Sequence, residues 1–283
     1  MSAPAAEDNR PVLDFELRVG ERSIQAKARL PVGDVRLVEL LPVLRKFNDA
    51  IIGAAVEDAR EGARTVSCCA GCGACCRQIV PISEHEALAL LEWIDGLPEE
   101  QQAFIRSRFE EAVAALDMKG MLERTRQSTG TRDREETVRF ALDYFRAGVP
   151  CPFLIKESCS IHPIRPMKCR EYLVTSPAIN CVQPSAESIA MVELPTTFSK
   201  VLFHFEQGVA AGARWLPLVL LFEWEAQHRG DPQRKGDSVA LFREFLAAFV
   251  DQTPEALEQM LTPGADAVAS AARSGAGASA PGK

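Results

Sequence analysis

The sequence predicts an α+β fold that is mostly helical and that carries a small β-hairpin near the N-terminus. Apolar and polar residues alternate over residues 12–30, as they do in strands with one buried face. Most of the later chain instead places apolar residues at helical spacing. The nine cysteines all lie between positions 68 and 181, in segments rich in Gly, Ala and Pro. We therefore expect the cysteine segments to be loops packed among the helices.

Composition and charge exclude several classes of protein. The chain has 283 residues, 47% of them apolar and 25% charged, which is ordinary for a globular protein. Its formal net charge is −7. Proteins that bind nucleic acid in general, or that bind anionic membranes, are usually basic, so the charge argues against both classes. No apolar run reaches the about 18–20 residues that span a bilayer, so no membrane span is expected. The best candidate, residues 215–224, contains Pro217 and Glu223, and we expect it to form a buried helix.

The start of the chain indicates where the protein resides. It does not show the basic segment followed by an apolar one that marks a secretion signal, so the expected location is the cytoplasm. In that reducing compartment, clustered cysteines bind metal or carry out redox chemistry more often than they form structural disulfides.

The first 64 residues are predicted to hold a disordered start, the hairpin and one helical stretch. Residues 1–11 are small and polar and are expected to be disordered. Residues 12–64 form the hairpin and helix unit. Its helical stretch should begin at Asp34 as N-cap, break or kink near Pro42 and end at Gly62.

The middle of the chain, residues 65–185, is predicted to be a cysteine-rich domain with helices between its two cysteine groups. Ser83 and Glu86 match the capping box that opens a helix, and Pro98 opens a second one. The charged residues 117–134 are expected to form a mobile connector before a further helix.

The remaining residues divide into a helical region and a tail. Apolar residues recur at helical spacing in residues 186–261, which predicts a C-terminal helical region. Residues 262–283 are mostly Ala, Gly, Ser and Pro without periodicity, and we expect them to be disordered.

The first cysteine group has the spacing C-x2-C-x2-C-C, with only Gly and Ala between the cysteines. Its members are Cys69, Cys72, Cys75 and Cys76. Small residues let the backbone fold tightly around an ion, and thiolates held this close repel one another unless a cation compensates their charge. The spacing therefore predicts a metal centre. Cys68 directly precedes the pattern and is left over, so we expect it to be dispensable.

The second group adds Cys151, Cys159, Cys169 and Cys181 in a proline-rich segment. Eight cysteines suffice for two four-thiolate sites, or for one cluster and one mononuclear site. Zinc and iron–sulfur clusters both take four thiolates. The C-x2-C-x2-C spacing and the distant Cys151-Pro152 slightly favour an iron–sulfur cluster over zinc. The sequence thus predicts a protein that binds a metal ion or cluster, with a redox or metal-handling role.

Taken in order, these residues resemble the CxxCxxCC cysteine-cluster proteins, which are described as zinc- or iron-chelating. The resemblance runs over about residues 65–185, where the cysteines are joined by Pro152-Phe153-Leu154, Arg165-Pro166 and Arg170. One subgroup resembles flagellin lysine methylases. That likeness implies, as an alternative, an S-adenosylmethionine-linked protein-lysine N-methyltransferase activity using the same centre. The doubled Cys68-Cys69 and His162, where an aromatic residue is expected, depart from the family pattern.

Four basic residues flank the cysteines. His162 follows Cys159 by three positions, and we expect it to lie near the centre rather than to bind metal. Arg77, Arg165 and Arg170 are either solvated charges or groups that offset the negative charge of a thiolate site.

Overall fold

The computed structural model describes residues 9–19, 22–69, 71–129, 134–185, 187–194, 197–205 and 214–250. The α-helices in these ranges are α1 Leu37–Glu61, α2 Glu84–Asp95, α3 Glu99–Met118, α4 Leu122–Arg126, α5 Arg134–Ala147, α6 Met167–Glu171, α7 Phe198–His204, α8 Leu221–His228 and α9 Ser238–Val250. The strands are β1 Val12–Val19, β2 Arg22–Arg29, β3 Asp34–Arg36, β4 Pro81–Ser83, β5 Leu154–Ile155, β6 Ser158–Cys159, β7 Trp215–Pro217 and β8 Lys235–Asp237. Of the start expected to be disordered, 1–11, residues 1–8 lie outside the described residues, as does the tail at 262–283. Residues 9–11 are described, and the carbonyl of Pro11 accepts the backbone N–H of Leu30 at 2.9 Å.

The strands form small antiparallel pairs, and the protein is an α+β fold that is mostly helical. The predicted hairpin is confirmed as β1 paired with β2, in a register that sets Phe15 opposite Ala26. Strand β3 pairs with β8, and β4 pairs with β7. These two pairs join segments that are far apart in the sequence. They tie both flanks of the first cysteine group to the C-terminal part of the chain.

A first core lies between the hairpin and helices α1, α7 and α9. Phe15 from the hairpin packs edge-on against Phe47 of α1 and Phe242 of α9. Phe198 of α7 is fully buried and contacts Phe47 and Phe245. Alternation along the strand and helical spacing along α1 bring these rings to one side of each element.

A second core supports the cysteine region. It contains Ile82 of β4, Phe109 of α3 and Phe153, all buried, and Phe153 packs edge-on against Phe109. Cys151 and Cys159 are packed against the same cluster. The second cysteine group therefore rests on a built apolar scaffold, while the apolar residues of α3, α4 and α5 form a third cluster beside it.

Two predictions for the first helix are wrong. Asp34 begins strand β3 rather than capping a helix, and the helix begins after Arg36, where Glu39 accepts a hydrogen bond from the Arg36 backbone N–H at 2.8 Å. The helix then continues through Pro42 to Glu61 without a break. Burial of Leu40, Leu41 and Leu44 on either side of the proline stabilises the helix across the missing hydrogen bond. Its end before Gly62 is as predicted.

Two further segments differ from their prediction. The expected mobile connector at 117–134 contains α4 and a following 3₁₀ turn, Gln127–Thr129, since Leu122 and Thr125 are buried; residues 130–133 lie outside the described ranges. The expected buried helix at 215–224 begins instead as β7, and only after Pro217 does the chain turn helical. Within the described ranges, no helix is long and apolar enough to cross a membrane.

The predicted capping box of α2 is confirmed, and it also positions a cysteine-bearing helix. Glu86 is fully buried and accepts hydrogen bonds from the backbone N–H and hydroxyl of Ser83, both at 3.0 Å. Its other oxygen accepts the backbone N–H of Met167, at 2.7 Å, at the start of α6, the helix that carries Cys169. Burial raises the pKa of Glu86, and its hydrogen bonds oppose that shift.

Replacing Glu86 with Gln should lower the free energy of unfolding by about 1–3 kcal/mol. The amide nitrogen of Gln would face an N–H or hydroxyl donor, leaving that buried donor without an acceptor. Urea denaturation measures the change, with the exposed Glu110→Gln on α3 as the matched control. Equal midpoints for the two variants would contradict the role given to Glu86.

Candidate metal centre

The first cysteine group lies in a tight loop between α1 and β4. Gly71 takes a left-handed conformation with φ of +81°, which a side chain would disfavour. The loop then winds into a 3₁₀ turn, Ala74–Arg77, which carries Cys75 and Cys76. Backbone hydrogen bonds from Cys72 N–H to Cys69 and from Cys76 N–H to Gly73 close the loop, at 3.3 and 3.0 Å. The small residues seen in the sequence are thus used to turn the backbone sharply.

The second group is presented by three short elements. Cys159 lies on β6, which pairs with β5, and Cys169 lies on α6. Cys181 lies on a 3₁₀ helix, Ala178–Val182. The backbone N–H of Cys151 donates to the carbonyl of Cys76 at 2.7 Å, which joins the two groups directly.

One cavity of about 600 Å³ collects cysteines from both groups. Eight of the nine cysteines line it: Cys68, Cys69, Cys72, Cys75, Cys76, Cys151, Cys159 and Cys169. Cys181 lies beside the cavity, close enough to Cys68, Cys72 and Cys75 for their thiolates to repel it. The structure therefore brings the two groups together, although 75 residues separate Cys76 from Cys151 in the chain.

The thiols deepest in the cavity are strongly shifted toward their neutral form. Burial raises the pKa of Cys169 well above its ordinary value, with repulsion from Cys151 and Cys75 adding to it. Burial also raises the pKa of Cys151 to about 12. The Cys76 thiol, hydrogen-bonded to Cys75, and burial together raise the pKa of Cys75. Several buried thiolates without a cation would be unfavourable, so these thiols are protonated at neutral pH.

The donor set fits a thiophilic metal. Thiolate sulfur is the ligand that zinc and iron–sulfur clusters share, and a bound cation compensates the charge that burial disfavours. All nine cysteines are free thiols in the structure. In the described part of the chain, no three Cys, His, Asp or Glu side chains converge closely enough to hold one ion. A metal bound by four of these thiols would therefore require their sulfurs to lie closer together.

The predicted basic residues fall into different roles. Arg77 pairs with Glu157 through two hydrogen bonds, at 2.7 and 3.0 Å, and also donates to the carbonyl of Gly73. Arg170 is buried and pairs with Asp49 of α1 at 2.8 Å. These two residues are structural ion-pair partners as well as positive charges beside the cysteines.

Arg165 and His162 are the two basic residues that line the cavity among those predicted, and they contact each other. Arg165 lies close enough to Cys75 and Cys159 to stabilise their thiolates. His162 is largely exposed, and burial together with Arg165 lowers its pKa, so its imidazole is neutral near pH 7.

Sequence reasoning missed the acidic residues that hold this arrangement. Glu157 lies in the turn between β5 and β6 with a positive φ of 58°, and Asp49 and Glu171 anchor α6. Glu171 accepts hydrogen bonds from Ser199 of α7. No local motif marks these positions, because each acts through a partner far away in the sequence.

The sequence that carries these cysteines is similar to one known family. Residues 68–189 match the CxxCxxCC family model. Its description is a putative zinc- or iron-chelating domain. The match confirms the resemblance seen in the sequence and covers the two cysteine groups together with the helices between them. No curated protein and no solved structure matches this chain significantly.

Gly73 is required by the close approach of the two groups. A Cβ built on Gly73 would lie 2.6 Å from Oε2 of Glu157, 2.9 Å from Leu154 and 3.2 Å from the Glu157 backbone. Gly73→Ala should therefore push the β5–β6 turn away from the first group and lower the free energy of unfolding by about 1–3 kcal/mol. Chemical denaturation measures this loss.

Gly53→Ala is the matched control, because a Cβ at this position in α1 meets nothing within 4 Å. Alanine favours a helix over glycine, so this variant should be as stable as the parent or more stable by up to about 1 kcal/mol. A Gly73→Ala protein as stable as Gly53→Ala would show that the two cysteine groups are not packed this tightly.

Proposed function

We propose that the protein binds iron or zinc through the cysteines of its two groups and uses the bound metal in redox chemistry or metal handling. The proposed ligands are Cys69, Cys72, Cys75, Cys76, Cys151, Cys159, Cys169 and Cys181. The observation that carries the proposal is one cavity lined by thiols from both groups. The match to a zinc- or iron-chelating domain supports it independently.

An iron–sulfur cluster is the form of metal that we favour. The cavity of about 600 Å³ has room for more than one ion, and Cys75 lies near thiols of both groups. A cluster, when bound, would supply an electron-transfer group whose potential responds to nearby charge and solvent. Arg165 lies beside Cys159 and would offset part of the negative charge of the thiolates.

The protein itself prepares the ligands for binding. Glu86 fixes the first turn of α6, and the Asp49–Arg170 ion pair fixes the same helix from the side of α1. Together they hold Cys169 in position. The backbone bond from Cys151 to Cys76 holds the two groups in register.

A second candidate is an S-adenosylmethionine-linked protein-lysine N-methyltransferase-like enzyme. Its support is the size of the cavity, which lies within the range of small-molecule sites, and the apolar residues Ile79, Phe153 and Leu218 in its wall. Calorimetric titration of the metal-loaded protein with S-adenosylmethionine distinguishes the candidates. Saturable binding favours the enzyme, and no heat favours a metal protein alone.

Anaerobic purification followed by absorption spectroscopy and elemental analysis tests the proposed function. We expect a brown protein that absorbs near about 400 nm and contains iron and sulfide. A colourless protein with stoichiometric zinc would support the metal site and show that its metal is zinc rather than an iron–sulfur cluster. A protein without either metal, even after reconstitution with iron and sulfide or with zinc, would contradict the proposal.

The Cys169→Ser variant tests whether Cys169 is one of the metal ligands. Loss of the Cys169 thiol should remove about half of the bound metal or more, because a four-thiolate site is incomplete without it. Ser107→Ala on α3, far from the cavity lining, serves as the control and should retain the parent content. Unchanged metal in Cys169→Ser would exclude Cys169 as a ligand.

A further inference from the structure

The doubled Cys68-Cys69 presents two thiols where the family pattern has one. The spacing C-x2-C assigns the first ligand position to Cys69, three residues before Cys72. Both residues line the cavity, and Cys69 is exposed whereas Cys68 is partly buried. Cys72 is exposed as well, so exposure alone does not decide which of the two sulfurs is the ligand.

The segment that follows α6 holds both the residue before Cys68 and the sulfur of Cys68 itself. Ser67 N–H donates to the carbonyl of Val174 at 2.9 Å, and the Ser67 hydroxyl donates to the carbonyl of Ser176 at 2.6 Å. In return, the Val174 N–H donates to the sulfur of Cys68 at 3.4 Å. Val174 itself is held in a bridge with Met191. These contacts orient the Cys68 side chain.

An amide N–H that points at sulfur is a feature of metal-bound thiolates, because the hydrogen bond stabilises negative charge on the ligand. The neighbours of Cys68 fit the same role. Cys72 and Cys75 lie close enough to interact with its charge, and Cys181 lies close to Cys68, Cys72 and Cys75. Cys68 thus stands among the outer thiols of the centre.

We propose that Cys68, rather than Cys69, is the first ligand of the centre and that it groups with Cys72 and Cys181 at the outer edge. This inference rests on the proposed metal binding and changes one of its ligands. Cys69, next to it, also lines the cavity but is exposed, and it is not a ligand. The first ligand position is then shifted by one residue along the loop. The hydrogen bonds of Ser67 and Cys68 with Val174 and Ser176 hold Cys68 in that position.

The neighbouring residues form a matched pair of variants. Metal content of the full chain is measured for Cys68→Ser, Cys69→Ser and Cys72→Ser after identical anaerobic purification. We expect Cys68→Ser to lose metal to the same extent as Cys72→Ser, and Cys69→Ser to keep the parent content. The inference is overturned if Cys69→Ser loses metal, or if Cys68→Ser retains it. A parent protein without metal would instead overturn the proposed function.

A second measurement uses the unmutated protein and does not depend on how the variants fold. The metal-loaded chain is treated with iodoacetamide under anaerobic conditions, and the modified residues are identified by mass spectrometry. Cys69 should be alkylated at the rate of an exposed thiol, while Cys68, Cys72 and Cys181 are protected. Protection of Cys69 together with alkylation of Cys68 would overturn the assignment.

Discussion

Crowding of thiols around one partly buried cavity is the constraint on which this structure depends. Burial and mutual repulsion raise the pKa of Cys151 and Cys169, so several thiolates cannot coexist there without a compensating cation. Of the two cysteine-bearing segments, the first loop, residues 62–80, has no buried apolar side chain in its described part, whereas the second contributes the buried Phe153 and Met167. A bound metal therefore supplies part of the free energy that organises these loops, because metal binding and folding are coupled when the ligands come from distant segments.

The rest of the fold supplies rigid attachment points for those loops. Phe198 lies in the first core, between the hairpin and helices α1, α7 and α9. Phe153 lies in the second core, which supports the second cysteine group. Helix α6 is anchored to α1, α2 and α7 through Asp49, Glu86 and Glu171. The first loop is attached mainly to the second cysteine segment. It contacts that segment through the Arg77–Glu157 pair, through the Cys151 amide, and through the hydrogen bonds of Ser67 and Cys68 with Val174 and Ser176.

Features set by local sequence could be predicted, and features set by distant partners could not. The Ser83–Glu86 capping box and the alternating hairpin are local, and both are confirmed. The start of the expected helix at 215–224 is instead strand β7, because it pairs with β4, whose Ile82 lies opposite Leu216 and far away in the sequence. The two cysteine groups could be listed from the sequence, but their meeting at one cavity depends on tertiary packing.

The choice between Cys68 and Cys69 likewise depends on a partner that is distant in the sequence. Spacing alone assigns the first ligand position to Cys69, because Cys69 lies three residues before Cys72 and so matches C-x2-C. The direction of a side chain depends on the backbone that holds it, and here that backbone is fixed by Val174, more than 100 residues later. No pattern within the loop reports this contact.

Amide hydrogen exchange of the full chain with and without its metal tests the central claim most directly. If the metal organises the cysteine loops, amides in residues 66–69, 71–80 and 149–184 become protected on loading, while those of α1 and α9 exchange equally in both states. Equal exchange of the loops in the two states would contradict the account. The cysteines would then form a site on a scaffold that is already stable without metal.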